Sequence, residues 1–222
     1  DIPLSIPLIL RRATSIGADM TVTSVEPAGI DVRTWGEIGD RSLRLASALD
    51  GLGVPPGGTV ASFAWNGHRH LELYYGAPIS GRVLHTINVR LHGDVIEYVV
   101  GHAADQVIFV DASLTSTVAP LRDRLAVETF VVMEDGADID PAFATAPRYE
   151  ELIAAHDPAE PAEVDENEAA SICYTSGTTG RPKAVVYSHR SVVLHAMGEL
   201  MVDGHAIRHG DAILPLTPMF HV

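Results

Sequence analysis

Residues 171–190 read SICYTSGTTGRPKAVVYSHR, an apolar run that gives way to a loop of hydroxyls and glycines, then two cations around a proline. Thr175, Ser176, Thr178 and Thr179 offer rotatable hydroxyl donors, and Lys183 offers a compact ammonium. Gly177 and Gly180 carry no Cβ, so the backbone there can take positive φ and bring amide N–H groups close to a ligand. That set of groups suits a polyanion such as a phosphate chain. Charge patterning agrees: the thirty residues between Glu168 and Glu199 contain no Asp or Glu, where the overall 29 acids in 222 residues would place roughly four.

Two other loops are distinguishable from it. A Walker loop has Lys directly after Gly and opens a helix, whereas here Gly180-Arg181-Pro182-Lys183 runs into the β-branched, strand-like Ala184 to Tyr187. The G-x-S-x-G nucleophile elbow is absent because Tyr174 stands two places before Ser176, which argues against a Ser176 hydrolase. A solvated hairpin turn without a ligand stays open as the plain alternative.

The string TSGTTGRPK followed by AVVYSHR resembles the phosphate-binding signature of the adenylate-forming superfamily, and within it most closely that of medium- and long-chain fatty acyl-CoA ligases. Residues 65–91 (WNGHRHLELYYGAPISGRVLHTINVRL) are similar to the same ligases, and residues 218–222 (PMFHV) to the family's second core motif. The resemblance implies an N-terminal portion only, with Thr175, Ser176, Gly177, Thr178, Thr179, Gly180 and Lys183 on the ATP phosphates, Lys183 and His221 as catalytic residues, and His221 at the acyl pocket. It also implies ATP, Mg²⁺ and coenzyme A, with a carboxylic acid, a fatty acid foremost, as substrate. Family members usually carry Gly after the motif lysine; Ala184 stands there in this chain and narrows the mouth of the loop. The family's adenine-binding segment, acidic Mg²⁺ ligand, ribose-binding Asp and mobile C-terminal domain have no counterpart before Val222. Three or four charge-assisted bonds at about 1.5–3 kcal/mol each barely offset an association cost of about 4–15 kcal/mol, so residues 1–222 alone are expected to bind ATP weakly and turn over nothing. A non-catalytic nucleotide- or phosphate-binding module is the alternative.

The elements that must position the loop follow from pattern. Thr34 and Glu37 have capping-box spacing ahead of an amphipathic helix to Gly51. Strand-like and helix-like segments then alternate: 59–64, 71–79, 83–87, 95–104, 107–110, 114–125 and 129–133. This succession predicts an α/β fold, a mixed parallel sheet with helices on both faces. Residues 1–156 read as a first subdomain, and the acid- and proline-rich 157–170 as a connector and seam. Residues 171–222 read as the start of a second subdomain, with a helix over 188–207 capped by Ser188 and a strand over 212–216.

Other candidates have plainer readings. His205 and His209 have i, i+4 spacing but no HExxH context, and His68 and His70 diverge at a helix start. Hydrogen-bonded or solvated histidine is the better reading for both pairs, so no metal site is expected. His189 follows Ser188 directly and cannot face it on a helix. Asn88, Arg90 and Leu91 form an N-x-R-L string that reads as a strand-to-helix turn with Arg90 in a structural pair. The lone Cys173 reads as a buried residue of a protein from a reducing cytoplasm.

A net charge of −14 argues against nucleic acid as partner, and no run reaches the roughly 18 apolar residues of a membrane span. The short apolar stretch at 2–10 is followed, not preceded, by Arg11 and Arg12, unlike a secretory signal, and a start at Asp1 without Met reads as an engineered or proteolytic terminus. An exposed edge on an incomplete sheet would favour self-association as a homodimer.

Overall fold

The computed structural model describes residues 2–175 and 180–221. Five parallel strands and one antiparallel strand form a single sheet. In chain order they are β3 (Thr59–Phe63), β4 (Val83–Thr86), β5 (Asp105–Asp111), β6 (Thr129–Met133), β7 (Ala169–Thr175) and β8 (Lys183–Ser188). In space they run β6-β5-β3-β4-β7-β8. Ahead of them come helix α1 (Ile6–Ile16), the hairpin β1 (Thr21–Glu26) and β2 (Gly29–Thr34), and helix α2 (Trp35–Gly51). Between and after the strands lie α3 (His68–Ile79), α4 (Gly93–Ala103), the single turn α5 (Thr115–Val118), α6 (Tyr149–Ala154) and α7 (His189–Leu200).

Strand alternation divides the core between two faces. Val60, Leu84, Val107, Phe109, Val131 and Met133 meet Leu45 and Leu49 of α2 and Leu73 and Ala77 of α3. On the other face Ala61, Phe63, Ile108, Val110, Phe130 and Val132 meet Ile96, Val99 and Val100 of α4, with Val118 and Leu121 beyond it. The α/β architecture with helices on both faces is therefore as the alternating pattern implies. Helices α2 and α3 approach closely at Gly76, where a Cβ would come within 3.0 Å of the Ser42 carbonyl and closer still to the Leu45 side chain.

Two local expectations change, and two elements had no expectation. The apolar N-terminal stretch is part of α1, whose Ile6 and Leu10 pack with Ala46, Ile79 and Ala170. The β1–β2 hairpin was not legible, because its Val25, Ile30 and Val32 are exposed and set up no buried alternation. Helix α7 stops at Leu200, short of 207, because the chain folds back over its end. Gly204 approaches the Gly198 carbonyl so nearly that a Cβ would lie 2.5 Å from it. Residues 212–216 are not a strand: Ile213, Leu214 and Leu216 are exposed, and no strand pairs with them among the described residues.

Residues 157–170 cross from α6 to β7, which pairs with β4 in the same sheet. Glu166 on this stretch accepts from Leu4 N at 2.7 Å and pairs with Arg190 of α7, tying the chain's first residues to the helix behind the loop.

Candidate functional site

The polar loop lies where the sheet can present it. It connects the C-terminal end of β7 to the start of β8, and Thr175 and Lys183 are paired across the hairpin, both exposed. In open α/β sheets the crevice beyond the carboxyl ends of parallel strands is the usual ligand position, because strand-ending loops gather there. Gly180 holds φ of 155°, a conformation rare for L side chains, although a Cβ there would meet open space. Ser176, Gly177, Thr178 and Thr179 lie outside the described residues.

The two loop cations differ in their engagements. The Arg181 guanidinium sits 4.9 Å from the Tyr98 ring centroid on α4, a cation–π contact. Lys183 is exposed and has no acid partner among the described residues. Between α4 and residues 180–182 opens a cleft of about 900 Å³, lined by Tyr98, His102 and Arg124 among others.

The root of the loop is braced from the α4 side. Tyr174 OH and His102 Nδ1 are 2.7 Å apart, and the rings of His85 and Tyr174 are 5.0 Å apart. Burial pushes the Tyr174 phenol up to about 12, so it remains a neutral hydroxyl. Behind it, His85 Nδ1 is 2.7 Å from Asp105 Oδ2 in full burial, and burial raises the Asp105 pKa despite the histidine.

His221 reaches the same end of the sheet by a long return. Met219 N donates to Asn66 Oδ1 at 2.6 Å, and Asn66 Nδ2 donates to the carbonyls of Thr217 at 3.0 Å and Pro215 at 3.2 Å. Tyr74 OH donates to the Met219 carbonyl, and Thr86 Oγ1 to that of Phe220 at 3.4 Å. Phe220 is buried in the α4-side core, and His221 is exposed next to it. Thr86 is the last residue of β4 and pairs with Cys173, two residues before Thr175. The structure thus brings Thr175, Gly180, Lys183 and the His221 segment to adjoining strand ends.

Asp111 closes β5 at this same edge. Its Oδ2 accepts from Trp65 N at 2.7 Å in a small cavity of about 200 Å³ shared with Glu26, Arg69 and Asp135. Burial, offset in part by the Trp65 N–H, raises its carboxyl to about 7.

The remaining candidates are structural. His68 and His70 are buried: His68 Nδ1 lies 2.8 Å from Glu72, and His70 lies 3.0 Å from both Ser62 Oγ and the Trp65 carbonyl. Burial lowers the His70 pKa to about 4. His205 and His209 do not share a helix, since α7 has ended. Ser188 caps α7 by accepting from Ser191 N at 3.1 Å, while His189 is buried and accepts from Ile6 N at 3.3 Å. Asn88 closes the turn onto Arg90 N at 2.9 Å, but the Arg90 guanidinium is exposed and unpaired among the described residues, a correction to the structural pair expected for it. Cys173 is free and buried.

Asn66, Tyr74, Tyr174 and His102 were not singled out by sequence. A polar residue directly after an apolar strand was the available signal for Asn66. Its partners 150 residues on carried none.

Comparison with known proteins shows the family of this chain. The model of the AMP-binding enzyme family matches residues 19–222. A 3-methylmercaptopropionyl-CoA ligase of Ruegeria lacuscaerulensis is 43% identical over 99% of this chain and 42% of its own length. A medium-chain-fatty-acid–CoA ligase of Ectopseudomonas oleovorans is 42% identical over 99% of this chain and 41% of its own. The inhibitor-bound N-terminal domain of FACL13 from Mycobacterium tuberculosis superposes with a TM-score of 0.79 at 26% identity, over 98% of this chain and 52% of that one. The chain spans about two-fifths of the length of these curated relatives. It belongs to the AMP-binding enzyme family and corresponds to the N-terminal part of that family's acyl-CoA ligases.

Proposed function

We propose that the intact protein is an ATP-dependent acyl-CoA ligase acting on a fatty acid. In the first half-reaction a carboxylate oxygen bonds to the ATP α-phosphorus, and pyrophosphate leaves with the electron pair of the broken P–O bond. In the second, the CoA thiol attacks the acyl carbon, AMP leaves, and the thiol proton passes to solvent. Residues of this chain contribute charge and position. Lys183 and the hydroxyls and amides of the loop neutralise the phosphate oxygens, whose charge grows as pyrophosphate departs. His221 stands at the acyl end, on the segment docked beside β4.

The hairpin brings no carboxylate to this edge within residues 169–198. It therefore suits a polyphosphate, and a Mg²⁺ bound with the nucleotide would supply further charge neutralisation. Residues 1–222 by themselves bind ATP weakly and turn over nothing. Free, buried Cys173 is in keeping with a reducing cytoplasm. Among the described residues no helix is long and apolar enough to cross a membrane. Strand β8, with Val186 exposed, is a sheet edge on which two copies could pair as a homodimer.

The observation that carries the reading is the pairing of Thr175 with Lys183, which has no acid partner among the described residues, across an exposed strand pair at the carboxyl edge of the sheet. Carboxylate-dependent ATP–pyrophosphate exchange in the intact protein tests it. Lys183→Ala should slow exchange about 10- to 100-fold, the worth of one charge-assisted bond of about 1.5–3 kcal/mol. Exchange at the wild-type rate would sink the proposal, and AMP release across acids of increasing chain length reads the substrate class.

A further inference from the structure

Asn66 makes most of the side-chain bonds that hold the return segment, beside Tyr74 on the Met219 carbonyl and Thr86 on that of Phe220. Residues 215–219 join no strand ladder among the described residues and bend at Thr217, so their backbone groups need other partners. Asn66 supplies three, donating twice and accepting once, at alternate residues 215, 217 and 219. The three bonds fall on every second residue, so one amide spans five positions of the segment. Pro218 has no N–H to offer, which leaves Met219 as the donor.

Asn66 is itself held. The preceding Trp65 has its N–H on Asp111 and its carbonyl 3.0 Å from His70 Nδ1, and the following Gly67 accepts from Leu71 N at 3.0 Å as α3 begins. The amide thus projects from a backbone fixed on both sides. Beyond the hook, Phe220 enters the core and His221 N donates to the Pro218 carbonyl at 3.0 Å, so the register set at Met219 determines where the His221 ring emerges.

We propose that Asn66 is a positioning residue for the acyl end of the site, fixing residues 215–221 in the register that presents His221 to the carboxylate substrate. This rests on the ligase reading for what His221 does. The hook itself does not depend on that reading.

The test uses the intact protein with Asn66→Ala, which removes all three bonds, and Asn66→Asp, which keeps the acceptor for Met219 N and loses both donors. Hydrogen–deuterium exchange of the peptide covering 215–221 should be about tenfold faster in Asn66→Ala and intermediate in Asn66→Asp, with peptides of β3 and α3 unchanged. The carboxylate KM should rise about tenfold with the ATP KM within about twofold. Unchanged exchange at 215–221, or both KM values rising together, would overturn the proposal. If Asn66→Ala fails to fold, Asn66→Asp gives both readouts. A wild-type protein without carboxylate-dependent ATP–pyrophosphate exchange overturns the ligase reading and the acyl-positioning role with it, and amide exchange then decides the hook alone.

Discussion

The phenol oxygen of Tyr174 lies 2.7 Å from Nδ1 of His102, linking the end of β7 to the last turn of α4 across 72 positions of chain. Tyr174 immediately precedes Thr175, so this bond steadies the strand at the point where the hydroxyl-and-glycine loop departs. Among the described residues β8 has a neighbour on one side, so β7 and its contacts with α4 carry the hairpin. Tyr174→Phe keeps the ring against His85 and removes the bond. It should lower stability by about 0.5–1.5 kcal/mol in urea denaturation and raise the ATP KM of the intact protein several-fold. An unmoved ATP KM would show that the loop does not need the brace.

Arg41 is one of two cations, with Arg69, in a largely buried network around Glu72 and Glu150. Its guanidinium donates to Glu72 at 2.7 Å and to Glu150 at 2.8 and 3.0 Å, while Tyr149 OH also donates to Glu72 at 2.7 Å. Burial raises the Glu150 pKa, but Arg41 and Arg69 outweigh it and hold the carboxyl at about 2. Arg41→Ala would strand the fully buried Glu72 carboxylate and should cost about 3–5 kcal/mol. A loss below about 1 kcal/mol in chemical denaturation would mean that the network relaxes without it.

Asp111 gives stability a pH dependence of definite sign. Its folded pKa of about 7 lies above the ordinary 3.8, so between these values the folded protein binds a proton that the unfolded chain has released. Stability contributed by this group is full below the unfolded value and is lost as pH rises through about 7. Asp111→Asn can still accept from Trp65 N without a charge to bury. It should therefore stabilise the protein at about pH 8 and change little near pH 4, read as urea midpoints at the two values. A gain that is larger in acid would reverse the assignment.

Much of the scaffold was legible because its signals are local. The Thr34–Glu37 capping box forms, with Thr34 Oγ1 accepting from Glu37 N at 3.2 Å and Glu37 Oε2 from Thr34 N at 2.7 Å. Alternating apolar segments became strands and covering helices because each carries its own period. Helix α7 was drawn too long for a related reason: its apolar residues continue to Ile207, and only the fold-back at Gly204 shows that the chain has left the helix. Residues 212–216 look like a strand by composition, but a strand exists through pairing, and their backbone is held further along by a side chain from residue 66.

By itself, the amino-acid order determined the alternating elements, the hydroxyl-and-glycine turn between two strands, and an acid-free surround for its lysine, since all of these depend on neighbours within a few residues. Tertiary structure alone decided that Tyr174 would meet His102, that Asn66 would catch the chain near Met219, and that Lys183 and His221 would arrive at adjoining strand ends. Those relations join residues 38 to 153 positions apart, and a spatial relation at such separation leaves no period or spacing to read.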